Sequence, residues 1–220
     1  IEPENALQEK ALAYINAWDL HFETDRIGAS IYEIWYFFMI ENLLGDELGE
    51  TLVRRYYRVS QKHPLMLTEL MAEADHPWFD DGTTPERETR DDIIKRSLTD
   101  AITWLKEQYG NDPGKWAWGR VHTVTFRHLP MGLSGIPFLE SLFNSPEKPS
   151  AGSRYTVNVA SHGWSRKPLR TGHCTALRMV IDLGNLDNMH NVNTTGQSEH
   201  LFHSHREDQF PMWQNGEYRM

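Results

Sequence analysis

The feature that most constrains this chain is a change of hydrophobic period near its middle. In the first half apolar residues recur at helical spacing; in the second half they alternate. Leu7, Ala11, Tyr14, Ile15 and Trp18 are three and four residues apart, as one apolar helix face requires. A second helix is expected over Thr24 to Leu44, deeply buried where it is apolar nearly all round, from Ile34 to Ile40. A third should follow Pro64, before the turn chemistry of Asp75 to Gly82. Thr84-Pro85 reads as the cap of a helix carrying Ile93, Ile94, Leu98, Ala101, Ile102, Leu105 and Tyr109 on one face, with Gly110 ending it.

From Trp118 to His128 the pattern becomes that of a half-buried strand, with Val124 and Phe126 alternating with Thr123, Thr125 and Arg127. Thr156 to Ala160, Thr175 to Leu183 and His190 to Thr194 read as further strands. Leu142 to Ser153 reads as a loop, and His205 to Trp213 as a short helix. Helices followed by strands argue for an α+β fold, a helical segment over 1–112 and a strand-rich segment over 113–220.

Composition narrows function mainly by exclusion. A formal charge of -9 supplies no basic face for phosphates, which argues against nucleic-acid binding. The run Ile34 to Ile40 falls far short of the roughly 18–20 apolar residues that span a bilayer. A single cysteine, Cys174, rules out an internal disulfide. The opening Ile1-Glu2-Pro3 has no initiator Met and no signal peptide, so a processed or partial chain is expected.

Familiar catalytic signatures are absent: there is no GxSxG, GxxxxGK[ST], HExxH or GxGxxG. His200, His203 and His205 have a spacing that zinc could use, but no cysteine or clear fourth ligand accompanies them. The pairs Asp80-Asp81, Asp91-Asp92 and Glu207-Asp208 fit charges at helix starts better than catalytic dyads. His173 and Cys174 are strand neighbours on opposite faces, which is wrong for a nucleophile and its base.

Four patterns taken together resemble the penicillin acylase type of N-terminal-nucleophile hydrolase. The first is Trp116-Ala117-Trp118-Gly119-Arg120-Val121-His122 with Phe126 and His128; the second is Tyr155 to Ala160 around Thr156-Val157-Asn158. The third is Leu177 to Leu183 with Asp187-Asn188. The fourth is Thr195-Gly196-Gln197-Ser198 with His205, Asp208-Gln209, Trp213 and Gly216-Glu217-Tyr218. Trp18-Asp19, Ala29 to Trp35 and Trp78 to Asp92 also match, in family order. Departures are Glu199, Ser204 and Arg206, where the family often has Gly, Pro and Tyr.

The resemblance implies the C-terminal part of the β chain of an αββα sandwich, with the α chain and the N-terminal part of the β chain as partners. It implies an autocleaved precursor and a periplasmic or secreted protein. No cofactor is implied beyond a structural calcium whose ligands cannot be named here. The implied chemistry is acyl transfer from a small-molecule amide, of the β-lactam or acyl-homoserine lactone class, to an N-terminal Ser outside this chain. Asp182 alone is implicated in catalysis, as an acid that orients a histidine; otherwise it caps the Gly184-Asn185 turn. The matching aromatics, His122 and His128 are expected in the core, and Gly196-Gln197-Ser198 is expected to hold a loop. Competing readings are a catalytically inactive homologue serving as a binding or assembly subunit, and a metal-binding module built on His200–His205.

Overall fold

The computed structural model describes residues 1–59, 63–163 and 169–219. It is mixed α and β, helical in its first half, with small antiparallel sheets in its second. Two compact units result: Ile1–Val121 with Gly163–Leu169, and His122–His162 with Arg170–Met220.

The first unit is built on α1 (Ala6–Asn16), α2 (Ile27–Val59), α3 (His63–Leu70) and α4 (Arg90–Tyr109). Helix α2 packs along α4 and against α1. Its apolar stretch is buried as expected, with Ile31, Ile34, Phe37 and Ile40 removed from solvent. Each such side chain contributes roughly 1.5–3 kcal/mol relative to exposure. Polar ties set the helix register: Trp35 Nε1 donates to the Ile94 carbonyl at 3.1 Å, and Asn42 Nδ2 to Asp100 Oδ2 at 2.8 Å. Trp116 and Trp118 complete this core.

Two helix boundaries differ from expectation. Helix α2 does not stop near Leu44; it breaks at Gly49, whose φ of 69° leaves the helical region, and a further stretch buries Val53 and Tyr57 one turn apart. Helix α4 starts at Arg90, because the Asp92 carboxylate accepts from both the backbone N–H and the hydroxyl of Thr89. Thr84 instead ties the preceding turn together, donating to the Glu88 carboxylate at 2.9 Å.

In the second unit, a four-stranded sheet has the order β2-β1-β4-β3, from β1 (His122–Val124), β2 (Lys148–Pro149), β3 (Ala160–His162) and β4 (Leu169–Cys174, of which Leu169 counts with the first unit). A separate antiparallel pair joins β5 (Leu177–Val180) to β6 (His190–Asn193), with Leu177 opposite Asn193. Short helices α5 (Trp118–Val121), α6 (Pro137–Phe143) and α7 (Phe210–Asn215) complete the chain.

The strands are shorter than their patterns suggested. Trp118 to Val121 forms a helical turn, because Trp118 N and Gly119 N donate to the Arg26 and Thr24 carbonyls and not to a sheet neighbour. Past Val124 the chain is irregular. Thr156 to Val159 forms no regular strand: the Thr156 hydroxyl donates to the Asn158 carbonyl at 2.7 Å and accepts from Ser153 N, competing with a ladder. Strand β4, with Gly172 and few apolar residues, was not expected, nor were α6, which ends just inside the anticipated loop Leu142–Ser153, and β2 within that loop. Helix α7 begins at Phe210, five residues later than expected, after a series of turns.

Candidate functional site

The second unit assembles most of the motif residues, and they hold the chain to itself. His122 is fully buried, its Nδ1 2.9 Å from the Ser150 carbonyl and its Nε2 3.0 Å from the Thr171 hydroxyl. Phe126 packs edge-on against Phe210 and Trp213. Trp213, itself buried, donates from Nε1 to the Thr175 carbonyl at 2.9 Å. Over its ring lies the Arg178 guanidinium, 4.6 Å from the centroid, which also donates to the Trp213 carbonyl and the Asn158 side chain. Burial lowers the Arg178 pKa, so the two hydrogen bonds and the indole face offset lost hydration.

The glycine of Gly196-Gln197-Ser198 is required by contact. A Cβ there would lie 2.1 Å from the His205 carbonyl oxygen, which accepts from both Gln197 N and Ser198 N. Gln209, nearly buried, closes the same loop: its N–H donates to the Thr195 carbonyl and its Oε1 accepts from Asn193 N. These residues therefore fix a loop, as their pattern suggested.

An imidazole–carboxylate pair emerges that spacing alone had not singled out. His205 Nδ1 donates to Asp208 Oδ2 at 2.9 Å, and Arg219 Nη1 reaches the same oxygen at 3.0 Å. The His205 hydrogen bond, followed by the charges of His205 and Arg219, holds the Asp208 carboxyl below the usual range. A carboxylate on Nδ1 selects the tautomer whose Nε2 can accept a proton or ligand. The H-x-x-D spacing was the available signal. His203 and His205 have ring centroids 5.3 Å apart, yet among the described residues no three histidines, cysteines or carboxylates are arranged to hold a metal ion.

Beside this loop lies a cleft of about 280 Å³, lined by Phe126, His128, Phe143, Thr195, Ser198 and Arg206 among others. His128 is half-buried against Phe143, with ring centroids 5.0 Å apart. The nearby hydroxyls serve the backbone: Ser145 Oγ accepts from Phe126 N and Ser198 Oγ from His200 N.

Asp182 stands away from these groups in the described hydrogen bonds. It is exposed just beyond β5, and its Oδ1 accepts from Gly184 N at 2.8 Å, the turn-capping contact. Cys174 is partly buried, which raises its thiol pKa and disfavours the thiolate a nucleophile needs. No described helix is long and apolar enough to cross a membrane.

Comparison with known proteins identifies the family of this chain. The penicillin amidase family model matches residues 2–220. Acyl-homoserine lactone acylase QuiP of Pseudomonas aeruginosa is 28% identical over 184 residues, covering 80% of this chain and 22% of that protein. The QuiP of Pseudomonas syringae pv. syringae is 26% identical over 226 residues, covering 99% of this chain and 27% of that protein. The chain thus spans about a quarter of the length of the curated relatives it matches. With a single family model running through both units, the chain belongs to the penicillin amidase family.

Proposed function

We propose that this chain is the C-terminal part of an acylase that cleaves the amide of acyl-homoserine lactones. The observation that carries this reading is the alignment with proteins named for that activity across 80–99% of the chain, in the span of the family match. In the proposed reaction a Ser outside residues 1–220 attacks the amide carbonyl, the C–N bond breaks, and the amine leaves with a proton. Water then hydrolyses the acyl-enzyme to the carboxylic acid and regenerates the Ser. Nucleophile, base and oxyanion donors suffice, so the reaction needs no resident cofactor. From the family resemblance alone we further propose a periplasmic or secreted protein made as an autocleaved precursor.

This chain's role is to supply scaffold, with Asp182 proposed as its one contribution to proton handling. Its exposed position just past β5 leaves the carboxyl accessible to a histidine from outside the chain. The natural protein should be incubated with a long-chain acyl-homoserine lactone and, in parallel, with a benzylpenicillin-type amide, and free amine measured. Faster turnover of the lactone supports the reading. Preference for the penicillin would move the substrate class, and failure on both would favour an inactive binding or assembly subunit.

A further inference from the structure

The cleft beside the Gly196-Gln197-Ser198 loop lies within the second unit and carries more charge than the folding of that loop uses. Arg127 and Glu199 both line it and both are exposed. Their charges are opposite, yet among the described residues neither side chain has a hydrogen-bond or ion-pair partner, in the other or elsewhere. The second opposite pair on the wall, Arg206 and Glu207, is loose, with Nη1 and Oε1 3.8 Å apart, while Arg206 Nη2 donates to the Phe143 carbonyl. An unpaired surface charge is ordinary by itself. Opposite charges that line one concavity without neutralising each other suit a cleft that receives charge of both signs.

The rest of the lining fits a small polar molecule. Neither ring nitrogen of His128 has a hydrogen bond among the described residues, and Nδ1 is buried, a condition that costs a polar atom about 1–3 kcal/mol. The χ2 torsion of a histidine is soft, so the ring can turn either nitrogen toward the cleft. The Thr194 and Thr195 hydroxyls also lack a described partner, and the Phe126 and Phe143 rings supply an apolar wall. At about 280 Å³ the cleft falls just below the roughly 300–1,000 Å³ of drug-sized sites. Glu199 and Arg206 are positions at which this chain departs from the penicillin acylase pattern, so their charges belong to this chain and not to the common scaffold.

We propose that this cleft binds a small α-amino acid as its zwitterion, with the carboxylate toward Arg127 and Arg206 and the ammonium toward Glu199. A guanidinium fork matches a carboxylate in shape as well as charge. An anion alone would leave Glu199 and Glu207 uncompensated beside it, and a cation alone would do the same to the arginines. Binding of this kind holds whether or not the protein cleaves an acyl amide.

Isothermal titration of the natural full-length protein with L-homoserine provides the test, because each charge of this probe can be deleted singly. Its counterparts are γ-hydroxybutyrate, which lacks the ammonium, and propanolamine, which lacks the carboxylate. The expected result is saturable binding of homoserine at least tenfold tighter than of either counterpart. Absence of saturable binding overturns the proposal, and so does equal affinity for either single-charge compound. Arg127→Gln and Glu199→Gln lie at exposed positions, and each is expected to weaken binding at least threefold with the thermal midpoint unchanged. Parent-like affinity in either variant would place the ligand elsewhere and overturn the assignment. Turnover of an acyl-homoserine lactone by the same preparation is a separate readout. An inactive protein that binds homoserine retains the cleft and sinks the acylase reading; an active protein that does not bind it does the reverse.

Discussion

The guanidinium of Arg178 lies 4.6 Å from the ring centroid of Trp213 and also donates to that residue's carbonyl oxygen, so one side chain from β5 grips both the face and the backbone of α7. Replacing Arg178 by Ala loses the cation–π contact, leaves the Trp213 carbonyl with Gly216 N alone, and leaves the Asn158 amide oxygen short of a donor. We expect a loss of about 2–3 kcal/mol in the natural protein, from the usual worth of such contacts. Arg178→Lys should fall between, because an ammonium cannot make both hydrogen bonds while lying flat on the indole. Denaturant unfolding monitored by Trp fluorescence checks both variants.

Two glycines should respond in opposite directions. Gly196→Ala drives a Cβ to within 2.1 Å of the His205 carbonyl oxygen, a backbone atom that cannot move without breaking the Gln197 and Ser198 hydrogen bonds. Destabilisation of about 1–3 kcal/mol is expected from overpacking of this kind. At Gly45, inside α2, an added Cβ meets nothing within 4 Å, and Gly45→Ala should stabilise by roughly 0.5–1 kcal/mol through helix propensity. Thermal unfolding of the two variants side by side provides the comparison.

Stability should depend on pH through carboxyls shifted in opposite senses. Asp208, lowered chiefly by His205, favours the folded state fully above the ordinary carboxylate range, and that contribution is lost as pH falls through its depressed folded value. Glu47 is raised to about 7, first by desolvation and then by the adjacent Asp46. Its protonated form favours folding, so its contribution is full below the ordinary glutamate value and is lost as pH rises through about 7. Asp208→Asn should therefore flatten the acid limb of a stability profile, and Glu47→Gln should flatten the decline between pH 5 and 8. A profile for Glu47→Gln parallel to that of the parent would contradict the assignment.

Much of the first unit was legible in the sequence because its signal is local. The burial of α2 follows from its nearly all-round apolar stretch and that of α4 from 3.6-residue spacing, and Gly110 ends α4 as expected. What escaped depended on partners distant in sequence. Nothing near Trp118 shows that its N–H will meet the Arg26 carbonyl, and so the expected strand became a turn. Thr156 looks β-forming in isolation, yet its hydroxyl binds the Asn158 and Ser153 carbonyls and folds the segment locally. His122 and Trp213 lie in the core and Gly196 in a tight loop, as their patterns suggested. Pairing His205 with Asp208 required the turn that brings an i, i+3 pair into contact outside a regular helix.

Asp182 provides a direct check on the catalytic contribution of this chain. Asp182→Asn preserves an acceptor for Gly184 N while removing the charge, so folding should be unchanged. An orienting acid predicts a fall in kcat on the order of tenfold or more with KM little altered, and a displaced acid limb of the pH–rate profile. Parent-like kcat and pH profile would reduce Asp182 to a turn cap.

The central claim, that these residues are scaffold for an amide-cleaving serine outside them, is tested most directly by trapping the acyl-enzyme. The natural protein would be quenched during turnover of a long-chain acyl-homoserine lactone and its peptides mapped by mass. The predicted result is an acyl adduct on a Ser that opens a chain outside residues 1–220, with free homoserine lactone released. An adduct on any residue within 1–220 would contradict the claim, as would failure to release amine from any acyl amide.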